Sequence, residues 1–236
     1  MAIDNGTPGN DTLWGTTAAD TIFGGLGNDE LYGSPTTTGS DADTVAGGAG
    51  NDRVSGRVGN DYVYGDDPVD PSIVGNDTVY GGAGNDRVYG GGGNDILGGD
   101  NHTDTLFGGD GDDRIRGERG KDLMYGGAGN DTFVVRTADD SNNKWGAEKI
   151  YDFDTDGNDR IDLYYVDANS TIDGNQKFSF VGNAAFTAAG QVRFEAATNG
   201  TVTIYANTDA DVATPEIVIT LLNAASDPIT ASDFLL

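Results

Sequence analysis

The chain has 236 residues, no cysteine, and a formal net charge of −26 from 39 acidic and 13 basic side chains. That charge makes poor partners of nucleic acid and anionic membrane, whose phosphates it repels, and the missing cysteine excludes a disulfide framework and a thiolate metal site. No run of about 18 apolar residues occurs, so no helical membrane span is expected, and inorganic cations are the natural partners.

The amino terminus, MAIDNGTPGND, has neither the basic stretch nor the apolar core of a secretory leader, so no ordinary signal peptide is expected. From residue 6 to residue 134 one nine-residue sentence governs the chain: G-G-x-G-N-D-x-U-x, with U apolar. Its cleanest copies stand together at 81–98, GGAGNDRVYGGGGNDILG. An Asp holds the sixth place thirteen times, at Asp11, Asp20, Asp29, Asp43, Asp52, Asp61, Asp77, Asp86, Asp95, Asp104, Asp113, Asp122 and Asp131. Two residues after each stands an apolar side chain: Leu13, Ile22, Leu31, Val45, Val54, Val63, Val79, Val88, Leu97, Leu106, Ile115, Met124 and Phe133. The spacing is nine except for fourteen before Asp43 and sixteen before Asp77, where polar insertions fall at 34–42 (SPTTTGSDA) and 66–74 (DDPVDPSIV).

The two halves of the sentence ask for different backbones. The glycine-rich hexapeptide must turn, and the last three residues form a minimal strand whose middle member points inward. Two sentences make one coil of 18 residues, so the chain is expected to be all-β, a parallel β-roll solenoid with two parallel sheets. The first units, GTPGND and GTTAAD, are worn, as suits a terminal coil. The insertions fall in an even and an odd loop and should protrude from opposite edges. In GDNHTD, His102 replaces the fourth glycine; with no second histidine in the chain it reads as a solvated turn residue rather than a zinc or catalytic group. At the ninth place the even units carry Phe23, Ala46, Tyr64, Tyr89, Phe107 and Tyr125, an outward aromatic ladder on one face, while the odd face runs through Ser55, Tyr80, Gly98, Arg116 and Val134. That ladder suits either cross-strand stacking or a docking strip for a polysaccharide or partner domain.

After Phe133 the period disappears. Of the 38 glycines, 32 lie in residues 1–134, so the chain divides into a roll at 1–134 and a second domain at 135–236. Strands are expected at 149–153, 160–163, 177–181, 191–195, 201–206 and 216–222, with a turn or two of helix near 164–169. This second part should be a mostly antiparallel β-domain that caps the open end of the roll.

A hard dication takes six to eight oxygens from carboxylates and carbonyls, which is what the loop offers. The candidate ligands are the thirteen sixth-place carboxylates together with the loops around them. Those loops contribute Gly24, Gly25, Gly27 and Asn28; Gly47, Gly48, Gly50 and Asn51; Gly59 and Asn60; Gly75 and Asn76; Gly81, Gly82, Ala83, Gly84 and Asn85. Farther along stand Gly90, Gly91, Gly92, Gly93 and Asn94; Gly108, Gly109, Gly111 and Asp112; Gly120; and Gly126, Gly127, Gly129 and Asn130. Stacking sets loop i beside loop i+2, so thirteen loops leave at most 11 sandwiches. Calcium is favoured over Mg²⁺, which demands a tight octahedron, and zinc is disfavoured by the lack of Cys and His. With short strands and one inward side chain per unit, the roll is expected to need its metal in order to fold. In the tail, Asp152, Asp154, Asp156, Gly157 and Asp159 imitate the start of an EF-hand loop, but the twelfth place is Leu163. Asp152 and Asp159 are instead expected either to serve the last loop of the roll or to form a turn.

The track resembles the RTX, or haemolysin-type, calcium-binding repeat over residues 6–134. The tail, with IYDFDTDGNDRIDL, FSFVGNAAFTAAGQVRFE and the ending ITASDFLL, resembles the C-terminal domain of the serralysin-type secreted metalloproteases. The resemblance implies ions held between carbonyls and Asp of successive loops, and export by a type I apparatus that reads an uncleaved C-terminal signal, here Asp233 to Leu236. No HExxH helix or G-x-S-x-G elbow is present, so no catalysis is expected. Three functions fit: a secreted, extracellular calcium-binding protein, the non-catalytic tail of a larger secreted hydrolase, lyase or epimerase, and a polysaccharide-binding adhesin module.

Overall fold

Every repeat unit forms a strand, and successive strands alternate between two sheets. The structure is a computed structural model that describes residues 3–138, 140, 147–153, 158–196, 200–211, 213–222 and 229–236. The roll comprises β1 (Ile3–Asn5), β2 (Thr12–Trp14), β3 (Thr21–Leu26), β4 (Glu30–Tyr32), β5 (Thr44–Ala49), β6 (Arg53–Val58) and β7 (Tyr62–Tyr64). It continues through β8 (Thr78–Ala83), β9 (Arg87–Gly92), β10 (Ile96–Asn101), β11 (Thr105–Asp110), β12 (Arg114–Arg119), β13 (Leu123–Ala128) and β14 (Thr132–Val134). The tail adds β15 (Glu148–Ile150), β16 (Arg160–Asp162), β17 (Ser179–Phe180), β18 (Gln191–Ala196), β19 (Val202–Asn207), β20 (Ile217–Leu221), a 3-10 turn at Ala231–Asp233, and β21 (Phe234–Leu235).

Odd strands build a 12-stranded sheet in the order β1-β3-β5-β7-β9-β11-β13-β15-β20-β19-β18-β17, and even strands a 9-stranded sheet ending β14-β16-β21. All pairings within the roll are parallel and keep phase, as in Val88↔Leu106↔Met124 and Leu97↔Ile115. The eighth-place side chains therefore stack into one internal column. Ile22, Leu31, Val45, Val54, Val63, Val79, Val88, Leu97, Leu106 and Ile115 are fully buried, and Leu13 packs partly buried at the open end. The two insertions leave β4 for β5 and β7 for β8, crossings of opposite direction, and so occupy opposite edges.

Two features go beyond the expected unit. β1 precedes the first counted repeat and pairs with β3, putting Asp4 beside Ile22. Many strands also run six residues, not three, because the glycine pair and the residue after it resume pairing across the corner, as in Gly25↔Gly48 and Leu26↔Ala49. At the fourth place glycine answers a close approach: Gly84 has φ 145, and a Cβ on it would run into the carbonyl of Gly59.

All six strands expected in the tail form, with bounds shifted by a few residues. Three of them, β18, β19 and β20, pair antiparallel; β17 adds to β18 in parallel, and β15, β16, β20 and β21 extend the sheets of the roll in parallel. The internal column continues through them, from Met124 to Ile150 and Leu221, and from Phe133 to Ile161 and Phe234. The helix expected near 164–169 does not form. The carboxylate of Asp162 accepts the N–H of Tyr164, that of Asp167 the N–H of Asn169, and the Asn169 side chain that of Thr171, so local Asx turns take the donors a helix would need.

Candidate metal centre

The stacked loops form two tracks. One edge carries Asp11, Asp29, Asp52, Asp77, Asp95, Asp113 and Asp131, the other Asp20, Asp43, Asp61, Asp86, Asp104 and Asp122, nearly all buried. Along each track one carboxylate oxygen holds the coil behind it. The N–H of Asp77 donates to Oδ1 of Asp95 at 2.8 Å, that of Asp95 to Asp113 at 2.8 Å, and that of Asp86 to Asp104 at 2.8 Å. The fifth-place side chains run a second ladder in the opposite sense, with the Asn94 N–H donating to Oδ1 of Asn76, Asp112 to Asn94 and Asn130 to Asp112. The side-chain oxygens of Asn28, Asn51, Asn60 and Asn85 serve the same ladder.

The second Asp oxygen is left over. Oδ2 of Asp29, Asp43, Asp52, Asp61, Asp77, Asp86, Asp95, Asp104, Asp113 and Asp122 is buried with no hydrogen-bond partner among the described residues. A buried carboxylate oxygen without a partner is costly, and its place is conspicuous. It lies where the Cβ of the loop's first glycine would stand, together with the carbonyl of the first glycine of the next coil. A Cβ on Gly99 would lie 2.6 Å from Oδ2 of Asp104 and 2.7 Å from the Gly117 oxygen, and one on Gly33 2.6 Å from both Asp43 Oδ2 and the Gly56 oxygen. Gly24, Gly47, Gly65, Gly90 and Gly108 make the same cradle on the other edge. Carboxylate and carbonyl oxygens so converging are a hard-cation donor set, and they fit calcium. Among the described residues no three acidic or imidazole side chains gather at one point, so the donor set is one carboxylate per loop completed by main-chain oxygen.

In the metal-free chain burial pushes these carboxyls up, against the pull of the accepted N–H: Asp104 to about 9, Asp77 and Asp113 to about 8, Asp43, Asp61 and Asp122 to about 7, and Asp52, Asp86 and Asp95 to about 6. Neighbouring carboxylates add to the rise, Asp122 and Asp86 for Asp104.

Asp11 and Asp20, expected as ligands, are built differently. Oδ2 of Asp11 accepts the N–H and hydroxyl of Thr7 at 2.6 and 2.9 Å, and Oδ2 of Asp20 those of Thr16 at 2.5 and 2.7 Å. The reason lies at the second place of the loop. Regular units hold it in the left-handed region, as at Gly82 (φ 114) and Gly109 (φ 119), whereas Thr7 and Thr16 do not adopt that conformation and turn their N–H onto the Asp. Arg57, Asp100 and Glu118 occupy the second place with φ 75, 73 and 66, accepting strain that glycine would avoid, and in their loops Oδ2 of Asp61, Asp104 and Asp122 stays open.

The tail completes both tracks. The Asp131 N–H donates to Oδ1 of Asp159 at 2.8 Å, so Asp159 takes the sixth-place role after Asp131, while Asp152 accepts the N–H groups of Gly126 and Gly127 at 2.9 and 3.1 Å. Asp154, Asp156 and Gly157 lie outside the described residues. Two residues escaped the sequence reading. Asp140 stands nine after Asp131 and closes a worn fourteenth loop, its carboxylate accepting the N–H of Arg136 and Thr137; the period, carried one unit further, marks it. Glu148 is off phase, and no sequence signal marks it. His102 is an exposed turn residue at φ 85, as expected.

The aromatic ladder is present from Tyr64 onward and gains Tyr151, while no ring pair among the described residues joins Phe23 to it: Tyr64, Tyr89, Phe107, Tyr125 and Tyr151 stack with centroids 4.7–4.9 Å apart and planes within 15°.

The profile of the RTX calcium-binding nonapeptide repeat matches the chain in four copies, over residues 5–35, 37–67, 74–97 and 98–133. The matched residues end there, and the serralysin likeness expected of the tail is not shown by the match. No curated protein sequence matches the chain significantly. Among solved structures, similarity is found to the solution structure of the AlgE6R3 subunit from the Azotobacter vinelandii mannuronan C5-epimerase. Identity there is 19%, over 98% of this chain and 80% of that one, with a TM-score of 0.32, too low to carry an argument. With the repeat profile covering half its length and open Asp oxygens lining both edges of the roll, the chain belongs to the RTX calcium-binding nonapeptide repeat family.

Proposed function

We propose that this is a secreted calcium-binding protein whose roll folds as it takes up Ca²⁺ outside the cell, after export by a type I apparatus that reads its C-terminal end. The observation that supports it best is the set of ten buried Asp oxygens without a hydrogen-bond partner among the described residues. Residues 1–134 carry 23 acidic and 7 basic side chains, and a roll that buries so many unpaired carboxylates is poorly stable until cations neutralise them. Low cytosolic calcium would keep the chain threadable, and the millimolar level outside would fold it. Far-UV circular dichroism during a calcium titration of metal-free protein tests this: a cooperative gain of strand signal is expected, and a full strand signal in excess chelator refutes it. For the export step, the last residues Phe234–Leu235 form a strand on β16, so removing 233–236 alters fold as well as signal. Secretion of a passenger fused ahead of residues 135–236, and its loss when those residues are scrambled, separates the two. The chain is proposed to be non-catalytic, whether it acts alone or as the tail of a larger secreted enzyme.

A second reading, binding of an acidic polysaccharide, is favoured by one patch and disfavoured by another. The inner rings of the aromatic ladder spend their faces on one another and offer sugars only edges. On the opposite sheet, however, an open depression is lined by Tyr32, Arg53, Ser55, Arg57, Tyr80 and Asp100, with the Arg57 guanidinium 5.6 Å from the Tyr32 ring and that of Arg53 5.4 Å from Tyr80. Guanidinium groups beside rings suit a carboxylated sugar. Retention on immobilised polyuronate, lost in Arg53→Ala/Arg57→Ala, supports it; no retention at low salt removes it.

A further inference from the structure

We propose that a divalent-cation site unmarked by the nine-residue pattern lies at the end of the roll, where Asp122 and Glu148 meet, and that its ion fastens the tail to the roll. The inference rests on the reading of the repeat loops as calcium sites.

In the preceding coil of the same edge, the cradle at Gly99 is made by Oδ2 of Asp104, 2.6 Å from the position of an added Cβ, and the carbonyl of Gly117, at 2.7 Å. One coil on, the equivalent point at Gly117 has Oδ2 of Asp122 at 2.6 Å and, where the next glycine carbonyl belongs, Oε2 of Glu148 at 2.8 Å. A charged oxygen has replaced a carbonyl in an otherwise unchanged cradle. Asp122 is fully buried, its Oδ1 accepts the Asp104 N–H at 2.8 Å, and its Oδ2 has no partner among the described residues. Glu148, 3% exposed, takes over the ladder role as well, accepting the Asp122 N–H at 3.3 Å.

The period points elsewhere. Asp140, eighteen residues after Asp122, is the phase-correct ligand, but its carboxylate is occupied by the N–H groups of Arg136 and Thr137 and the Thr137 hydroxyl. That loop has turned inward in the manner of Asp11 and Asp20, and β15 brings Glu148 to the vacated rung. Two carboxylates in one buried cradle repel each other unless a cation lies between them, and a pair of carboxylate oxygens is a donor set for a hard divalent cation such as calcium.

The consequence is mechanical. β15 is the strand between β13 of the roll and β20 of the tail, so the antiparallel strands β18, β19 and β20 join the 12-stranded sheet through it. An ion that seats Glu148 therefore seats that sheet.

The test uses the full chain and Glu148→Gln, which keeps shape and hydrogen bonding but not charge, with Asp140→Asn as the comparison. In equilibrium dialysis against calcium, E148Q is expected to bind one ion fewer than the parent and D140N the same number. Hydrogen exchange in saturating calcium should show the amides of β15 and β20 at least tenfold less protected in E148Q, with those of β9 and β11 unchanged. Equal ion number and equal protection in E148Q, or loss of the ion in D140N alone, overturns the proposal while leaving the loop sites standing. A parent chain that binds no calcium would instead remove the underlying reading. Should E148Q not fold, crystals of the parent grown in calcium decide: an ion about 2.3–2.6 Å from the Glu148 carboxylate is expected, and none there beside a filled Asp104 site overturns it.

Discussion

The N–H of Asp86 donates to Oδ1 of Asp104 at 2.8 Å, while Oδ2 of the same carboxylate, fully buried, has no partner among the described residues. One side chain thus stacks the coils with one oxygen and leaves the other facing the cradle. Asp104→Asn keeps the acceptor for Asp86 and removes the charge. It is expected to lower the number of calcium ions bound and to raise the calcium midpoint. In chelator it should leave stability unchanged or improved, because the metal-free roll can bury the Asp104 carboxyl only by taking up a proton or by desolvating its charge, and Asn needs neither. A variant with wild-type stoichiometry and midpoint would show that Asp104 only stacks.

The raised carboxyls give the metal-free and calcium-loaded chains opposite pH responses. A carboxyl at about 9 (Asp104), 8 (Asp77) or 6 (Asp86) in the folded chain, against an ordinary value of 3.8, binds more protons folded than unfolded between those limits. The metal-free roll therefore loses stability as pH rises through about 6 to 9 and regains it as pH falls toward about 4, below which both states are protonated. Calcium competes with the same protons, so its midpoint should rise as pH falls from 9 to 6. Circular dichroism of metal-free protein at pH 5 and 8, with and without calcium, reads both arms. A midpoint independent of pH would contradict the assignment of these carboxylates as ligands.

A core substitution should behave differently from a ligand substitution. Leu106 is fully buried between Val88 and Met124 in the internal column. Leu106→Ala removes about 2–5 kcal/mol of packing. With folding and binding coupled as proposed, that loss should appear as a higher calcium midpoint at unchanged ion number. A reduced ion number would mean that the column positions ligands and does not merely stabilise the coil.

The roll was legible in the sequence because its period and its physics coincide. Asp at place six and an apolar residue at place eight fix the alternation of strands, the internal column and the two edges, and Leu97, Leu106 and Ile115 stand where the pattern puts them. What escaped depends on contacts between coils. Asp11 and Asp29 occupy the same place in the sentence, yet Thr7 closes the first and Gly25, at φ 102, leaves the second open. The sign of φ at the second place makes that difference, and Arg57, Asp100 and Glu118 show that residue type alone does not report it. Glu148 was invisible for a plainer reason: it reaches its cradle from a strand that follows a worn loop, where distance along the chain no longer measures distance along the roll.

The aromatic ladder distinguishes stacking from docking. Tyr89 lies between Tyr64 at 4.8 Å and Phe107 at 4.9 Å, with interplanar angles of 8° and 7°, so both of its faces are covered by neighbouring rings. A sugar stacks on a ring face, and the inner rings of this column have none to give. The column instead extends from the roll to Tyr151 beside β15, tying coils to one another and to the tail. Each ring pair contributes about 0.5–1.5 kcal/mol beyond the area it covers. Tyr89→Ser removes two pairs, so it should raise the calcium midpoint and leave retention on polyuronate as it was. Phe107→Tyr, which preserves the stack, should change neither. A Tyr89→Ser chain that keeps its midpoint but loses polysaccharide retention would return the ladder to the role of a docking strip, with ring edges or a rearranged stack as its contact surface.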